Sequence, residues 1–300
     1  MQSEKYLLQK DKSFRLSKRV GNRKLKLVSI DIDDTMIPNN TFEASERFRA
    51  VVSRLEERGI RVCINTGRNV AYAMPVAKSA GIRSLCVALE GLSAFDPQTG
   101  NVVYENRLGI ERVERIIDIA KDTGIFIETT DNHKYYRFLN KSPQFCYNAG
   151  QDTHGFAEYT DSAADLFARS GGALCVTLGG EKAALHEATH RIREECRGLL
   201  FRNYLWENYS IISAEACQMH GKTFGLNWLC VRYGLDFVNA VASGDYINDA
   251  GMIGRAGMGI AMGNAHRLIK SLAGWVTDPV GEDGAAKALE KVFGVCGKGK

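Results

Sequence analysis

The sequence has no CxxC pair among its eight cysteines. Their positions, 63, 86, 146, 175, 196, 217, 230 and 296, fit neither a zinc framework nor a disulfide framework. That leaves reduced, mostly buried thiols, the state expected in a cytoplasmic protein. No apolar run approaches the length of a membrane span, so no helical membrane segment is expected. The opening residues, MQSEKYLLQKDKSF, lack a continuous apolar stretch and do not read as a signal peptide. Internal repeats and low-complexity segments are absent. A large net charge is missing too, at +4 over 300 residues, and part of it comes from one end. Residues 1–24 carry Lys5, Lys10, Lys12, Arg15, Lys18, Arg19, Arg23 and Lys24 against Glu4 and Asp11. Such a basic arm could touch RNA or an acidic surface, but is more often simply solvated, and nucleic acid is not expected as a partner. A transit segment would carry a clean amphipathic Arg/Ser pattern, which this arm lacks.

What is present is an average soluble composition, 45% hydrophobic and 25% charged, on a chain long enough for one large domain or two ordinary ones. From residue 25 the text alternates. LKLVSIDI is a continuous apolar run, as expected of a strand buried on both faces. EASERFRAVVSRLEERG places Phe48, Val51, Val52 and Leu55 at helical spacing and ends at Gly59. IRVCINT is a second strand, NVAYAMPVAKSAG a helix that Pro75 must start or kink, and SLCVALE a third strand. This alternation predicts a parallel sheet with helices on both faces.

The rhythm then breaks. LSAFDPQTGNVVYEN reads as a hairpin turning at Asp96, Pro97 and Gly100. Residues 108–216 mix helices with short strands, which reads as an inserted α+β domain, and DNHKYYRFLN within it reads as an exposed strand pair. Alternation resumes at 217 with KTFGLNWLCVRYG, FVNAVAS, INDAGMIGRAG, MGIAMG, AHRLIKSLA, WVT and EDGAAKALEKVFG. The expected organisation is a basic arm at 1–24, a core at 25–107, a cap at 108–216 and the rest of the core at 217–300. The fold class is α/β, a doubly wound, Rossmann-like parallel sheet with an inserted α+β cap.

In open parallel sheets, ligands bind beyond the carboxyl ends of the strands. The reactive residues of this sequence fall there. The first strand ends on Asp31, with Asp33 and Asp34 close behind. The second ends on Thr66, followed by Gly67 and Arg68. FVNAVAS runs into Gly244-Asp245-Tyr246-Ile247-Asn248-Asp249, and Lys222 opens the helix before it. Three carboxylates in four positions repel one another, and isolated DIDDT is more often an acidic turn than a nucleophile.

Taken in order, these segments resemble the haloacid dehalogenase-like phosphatase superfamily, whose pattern is an apolar strand with DxDx(T/V), a strand ending in Thr or Ser, a Lys, and GDxxND. GMGIAMGNAHRLIKSLAGWVT followed by EDGAAKALE, and NTGRN at 65–69, resemble its Cof-type branch. The likeness covers about residues 25–107 and 217–300. Only about thirty residues separate Thr35 from Thr66, too few for a cap, whereas about 155 separate Thr66 from Lys222. The later gap is where Cof-type members carry their α/β cap, a moving lid that excludes water and selects substrate.

The resemblance implies phosphoryl transfer to water from a small phosphorylated metabolite. Asp31 would be the nucleophile and Asp33 the general acid and base. Mg²⁺ would be held by Asp31, the carbonyl of Asp33 and Asp245. Thr66, Gly67, Lys222 and Asn248 would hold the phosphoryl group, Lys222 as a point charge. Asp249 would act from behind these groups, orienting Lys222 or a metal-bound water. Asp34 stands where the family often has Gly, which implies a turn residue. One departure concerns the substrate: where many members have Asn-Gly-Ala, this sequence has Glu90-Gly91-Leu92. A carboxylate facing the site would disfavour a second anionic group or hydrogen-bond a sugar hydroxyl.

Other motifs compete. HEATH, with His186, Glu187 and His190, matches a zinc-peptidase helix, but no HxxGxxH extension follows. HGKT at 220–223 ends like a phosphate-binding loop whose first glycine is Ala216, and GMGIAMG is not GxGxxG. The rival functions are therefore a zinc metallopeptidase and a non-hydrolytic binding or regulatory protein on the same fold. His133, Lys134, Tyr135 and Arg137 are the polar candidates for substrate contact in the cap.

Overall fold

The computed structural model describes residues 24–39, 41–138, 157–160, 162–169, 173–204, 209–214 and 221–295. The basic arm, up to residue 23, lies outside them. Along the chain come β1 (Leu27–Ile30), α1 (Glu46–Glu57), β2 (Arg61–Ile64), α2 (Val70–Ser79), β3 (Cys86–Ala88), β4 (Ser93–Phe95) and β5 (Val102–Glu105). Next are α3 (Ile110–Ala120), β6 (Phe126–Thr130), β7 (Tyr135–Phe138), β8 (Ala157–Thr160), α4 (Ala163–Arg169), β9 (Cys175–Gly179), α5 (Lys182–Glu195), β10 (Leu199–Tyr204) and β11 (Tyr209–Ala214). Last come α6 (Gly221–Arg232), β12 (Ala240–Gly244), α7 (Ala250–Arg255), β13 (Met258–Ala261), α8 (Arg267–Leu272), β14 (Trp275–Val276) and α9 (Gly284–Phe293).

The chain forms two compact units. Among the described residues, the first holds those up to Cys63, Ala80–Ile82 and those from Leu226 on. Its sheet has the order β14-β13-β12-β1-β2, with parallel pairing from β1 through β14. Every residue of β1, β12 and β13 is buried, which explains why each reads as an unbroken apolar or small-residue run. Helix α1 starts because Ser45 caps it, accepting the Phe48 N–H at 3.1 Å, and it buries Phe48, Val51, Val52 and Leu55. Burying such side chains contributes roughly 1.5–3 kcal/mol apiece. The Arg47–Glu290 ion pair at 2.6 Å joins α1 to α9.

The second unit holds Ile64–Ser79 and Arg83–Gly225. One of its sheets has six strands, β10-β11-β9-β6-β7-β8, antiparallel except for the β7–β8 pair. Val113, Ile116 and Ile117 of α3 and Leu185, Ala188 and Ile192 of α5 share a core with Ile127, Val176 and Leu178 of this sheet. The other sheet is the antiparallel β3-β4-β5.

This division differs from a cap beginning at residue 108. Helix α2 and strands β3–β5 group with the insert because specific contacts tie them to it. Ala71 donates its N–H to the Asn132 carbonyl at 2.9 Å, and Asn132 Nδ2 donates to Glu105 Oε1 at 2.6 Å. Leu89 and Leu92 form a cluster with Leu174 and Cys175. The segment read as an exposed strand pair lies deeper: β7 runs between β6 and β8, with Arg137 and Phe138 buried. Helix α2 continues past Pro75, its sixth residue, which has no N–H to give to the preceding turn. No helix among the described residues is long and apolar enough to cross a membrane.

Candidate active site

In the first unit, pairing of β1 with β12 runs one step beyond β1, with the Asp31 N–H bonded to the Ser243 carbonyl at 3.1 Å. Asp31 is thereby held at a strand end and is 5% exposed. The chain then turns sharply. The Ile32 carbonyl accepts the N–H groups of Thr35, Met36 and Ile37. Asp34 makes the turn possible by adopting a left-handed φ of 52°, and its Oδ1 caps the Asn39 N–H. Asn264 Nδ2 holds the Asp34 carbonyl at 2.7 Å. Asp34 is thus a turn residue, as its place in the motif implied.

Asp245 follows β12 directly, and Asp249 follows it on a short 3-10 turn. Carboxylate oxygens of Asp31, Asp245 and Asp249 lie within 4.8 Å of one another. Two unit charges about 4 Å apart repel by ~4 kcal/mol at an effective dielectric near 20. A cluster this close and this buried fits a hard divalent cation, which offsets the repulsion and takes oxygen ligands. Thr35 is fully buried and donates its hydroxyl to Asp245 Oδ1 at 2.9 Å. Asp249 Oδ2 accepts the N–H groups of Asp245 at 3.0 Å and Tyr246 at 2.9 Å. That contact needs Gly244, because a methyl group there would sit 2.2 Å from Asp249 Cγ. Asp33 is half-buried and its carboxylate is not in this group of three. Asn248 shares the 3-10 turn of Asp249.

In the second unit, Thr66 donates its N–H to the Val87 carbonyl at 3.1 Å, and its Oγ1 accepts the Arg68 N–H at 3.2 Å. Thr66 and Lys222 are each 1% exposed. Asn65 Nδ2 donates to the Lys222 carbonyl at 2.8 Å, so the residue before Thr66 fixes the start of α6. Thr66, Gly67 and Lys222 are brought together in this way. A buried ammonium is costly unless anionic or polar groups surround it. The Glu90 N–H bonds to the Thr66 carbonyl at 2.9 Å, which draws the Glu90-Gly91 turn onto the same segment.

Of the polar candidates in the insert, Arg137 is committed inside the protein. Its Nε meets Glu128 Oε2 at 2.6 Å and its Nη1 donates to Tyr159 Oη at 3.1 Å. Burial pushes the Glu128 carboxyl above the usual range, and Arg137 pulls it back. Tyr135 accepts the Asn69 N–H at 3.2 Å, and burial raises its phenol well above the ordinary value. Lys134 pairs with Glu158, while His133 is exposed.

HEATH does not assemble a metal centre. His186, Glu187 and His190 are exposed on α5, opposite the face that buries Leu185, Ala188 and Ile192. Among the described residues the one group of three or more potential ligands is the aspartate cluster. Sequence reasoning gave no role to Thr35 or Asn65. Thr35 was visible as the last residue of the DxDxT pattern, whereas nothing in the text marks Asn65 as an anchor for α6.

The first unit is thus a parallel α/β sheet with carboxylates gathered where two adjacent strands end, and the second is an α+β body. The chain belongs to the haloacid dehalogenase-like hydrolase family, which matches residues 28–289. It is similar to the 5-amino-6-(5-phospho-D-ribitylamino)uracil phosphatase YcsE of Bacillus subtilis, at 24% identity over 88% of this chain and 94% of that one. A phosphoglycolate phosphatase of Methanobrevibacter smithii is 24% identical over 88% of this chain and 97% of its own. The solved structure of the phosphatase BT1666 from Bacteroides thetaiotaomicron shares the fold with a TM-score of 0.74, at 22% identity over 92% of this chain and 97% of that one. The chain is a phosphoric monoester hydrolase of the Cof-type branch.

Proposed function

We propose that this chain is a magnesium-dependent phosphatase that hydrolyses a small phosphorylated metabolite through an aspartyl-phosphate. In the first step, an Asp31 carboxylate oxygen attacks phosphorus and the bond to the leaving oxygen breaks. Asp33 gives that oxygen its proton. In the second step, water attacks the aspartyl-phosphate, Asp33 takes a proton from it, and the bond from phosphorus to Asp31 breaks. Inorganic phosphate leaves and both carboxylates return to their starting states. Thr66, Gly67, Lys222 and Asn248 hold the phosphoryl oxygens. Asp31, the Asp33 carbonyl and Asp245 hold the cation, with Asp249 fixing the Asp245 backbone. A bound divalent cation supplies charge neutralisation between the carboxylates and the phosphate ester.

The observation that carries this reading is the buried cluster of Asp31, Asp245 and Asp249, with Thr35 bonded to Asp245. The phosphatase relatives support the reaction class, and the compounds in their names, a phosphoribitylamino-uracil and phosphoglycolate, support a small phosphorylated metabolite. The five cysteines among the described residues are buried and in no disulfide, which supports a reducing, cytoplasmic setting.

The test is release of p-nitrophenol from p-nitrophenyl phosphate. Turnover should require Mg²⁺, stop with a chelator, and fall at least 100-fold in Asp31→Asn and in Asp33→Asn, as loss of a nucleophile or general acid typically does. Intact turnover in Asp31→Asn would sink the mechanism. A folded wild type that binds phosphate yet hydrolyses no ester would favour the binding-protein alternative.

A further inference from the structure

Three consecutive residues, Leu89, Glu90 and Gly91, adopt left-handed φ values of 48°, 53° and 97°. For Leu and Glu this conformation costs energy, and such strain persists only where surrounding contacts enforce it. Here the contacts are backbone bonds. Leu89 donates its N–H to the Arg68 carbonyl at 2.9 Å, and Glu90 donates to the Thr66 carbonyl at 2.9 Å. Gly91 is pressed against the start of α6, where a methyl group on it would lie 2.9 Å from the Gly221 carbonyl oxygen.

The result is a carboxylate in an unusual place. Glu90 is 7% exposed. Its Oε1 lies 3.9 Å from the point where a methyl group on Gly67 would stand, and its Oε2 lies 3.7 Å from the same point on Gly221. One oxygen thus faces the residue after Thr66 and the other the residue before Lys222. We propose that Glu90 is the specificity-determining residue of this enzyme. Its negative charge beside the phosphate-holding segments selects phosphate monoesters of neutral, hydroxylated alcohols and rejects esters that carry a second anionic group close to the phosphate. This inference rests on the phosphatase reading for the identity of the site, and adds the substrate class to it.

The physical argument is a balance of charges. Thr66 is neutral, and the positive charge available, from Lys222 and a bound divalent cation, is shared between the dianionic phosphoryl group and the carboxylates of Asp31, Asp245 and Asp249. A fixed carboxylate at this spot opposes any further negative charge, in an interior where screening by salt is weak. The same carboxylate accepts hydrogen bonds from hydroxyl groups, and a charged acceptor makes those bonds stronger than a neutral one does.

The test compares kcat/KM for glycerol 3-phosphate and phosphoglycolate, which differ by hydroxyls against a carboxylate. Measurements use the wild type, Glu90→Gln and Glu90→Asn. Wild type should prefer glycerol 3-phosphate by at least about tenfold. Both variants should shift that ratio about tenfold toward phosphoglycolate, chiefly through KM. A purely structural role would lower both substrates together and leave the ratio unmoved, which would overturn the proposal. Glu90→Asn also separates strain from charge, because Asn tolerates left-handed φ better than Glu and should fold at least as stably. The same two ligands titrated by calorimetry against Asp31→Asn, with and without Glu90→Gln, give the ratio as dissociation constants. That version needs no turnover, so failure of the phosphatase mechanism and failure of the specificity proposal produce different results.

Discussion

The Thr35 hydroxyl donates to Asp245 Oδ1 at 2.9 Å, joining segments 210 residues apart in sequence. Both ends of this bond lie in the family pattern, at the last residue of DxDxT and the first acid of GDxxND. Thr35 is fully buried, so its hydroxyl must find a partner inside the protein. The bond fixes which way the Asp245 carboxylate turns within the cluster. It also couples the position of the β1 turn to that of the β12 turn.

Thr35→Val keeps the shape of the side chain and deletes this bond. Its stability cost should be on the order of 1–3 kcal/mol, the range for losing a hydrogen bond to a charged, partly buried acceptor. The Mg²⁺ concentration for half-maximal turnover should rise about 10–100-fold, the usual effect of removing a group that orients a metal ligand. Magnesium titration of p-nitrophenyl phosphate hydrolysis checks this, and urea unfolding in chelator gives the stability separately. An unchanged magnesium requirement would show that Asp245 is oriented by other contacts.

Gly244→Ala tests the close approach of Asp249. The added methyl would stand 2.2 Å from Asp249 Cγ and 2.4 Å from its Oδ2, so the carboxylate must leave the Asp245 and Tyr246 N–H groups. Overpacking of this kind costs about 1–3 kcal/mol, and the lost bonds add to it. Gly254→Ala in α7 is the control, because nothing lies within 4 Å of a methyl group there. An alanine in a helix interior is worth about 0.5–1 kcal/mol over glycine, so the control should be more stable than wild type. Chemical unfolding of the two variants should therefore move in opposite directions.

How far the text could be read depended on whether a residue's role is local. Strands β1, β12 and β13 are buried along their whole length, and the sequence shows that as unbroken apolar and small residues. The order Asp31, Thr66, Lys222, Asp245 was readable because each residue sits at a strand end or helix start. Strand β7 was misread because its polarity is cancelled across the sheet. Arg137 stands directly opposite Glu128 in the β6–β7 ladder, and a pattern of single residues cannot show that pairing. Asp249 illustrates the same limit. Its spacing from Asp245 is plain, but its presence in the carboxylate group depends on the turn that Gly244 permits. The grouping of α2 and β3–β5 with the insert rests on bonds such as Ala71 to Asn132, which no periodicity encodes.

Arg137→Met should expose the cost of the buried Glu128–Arg137 pair. Both side chains are about 95% buried, at 6% and 5% exposure for Arg137 and Glu128. Burial already holds the Glu128 carboxyl above its ordinary range, and Arg137 is the charge that limits the rise. Removing it leaves a buried carboxylate without its cation, at a cost of about 3–5 kcal/mol near neutral pH. The sign with pH follows from linkage. A carboxyl with a raised folded pKa binds its proton more tightly in the native state, so stability falls as pH rises from the unfolded value through the folded one. The penalty of Arg137→Met should therefore be smaller at pH 5 than at pH 8. Adding Glu128→Gln should recover much of the loss at pH 8. Equal penalties at both pH values, read by urea unfolding, would mean that the pair contributes packing and not charge.

Cys230 gives a second pH-dependent expectation with a chemical readout. It lies on α6 and is 2% exposed. Burial, helped by the negative charge of Asp236, raises its thiol from 9.0 to about 11. The thiolate is the reactive form, so at pH 8 the native protein should leave Cys230 unlabelled by iodoacetamide. Unfolding in urea should make it react like an ordinary peptide thiol, and peptide mapping by mass spectrometry distinguishes the two states. The native state holds this proton more tightly than the unfolded chain does. Stability linked to Cys230 should accordingly fall as pH rises from about 9 toward about 11. Cys230→Ala should lose that slope, after allowance for the cavity it leaves. Rapid labelling of native Cys230 at pH 8 would mean that α6 opens locally, because neither the thiol's exposure nor its acidity in the closed structure permits the reaction.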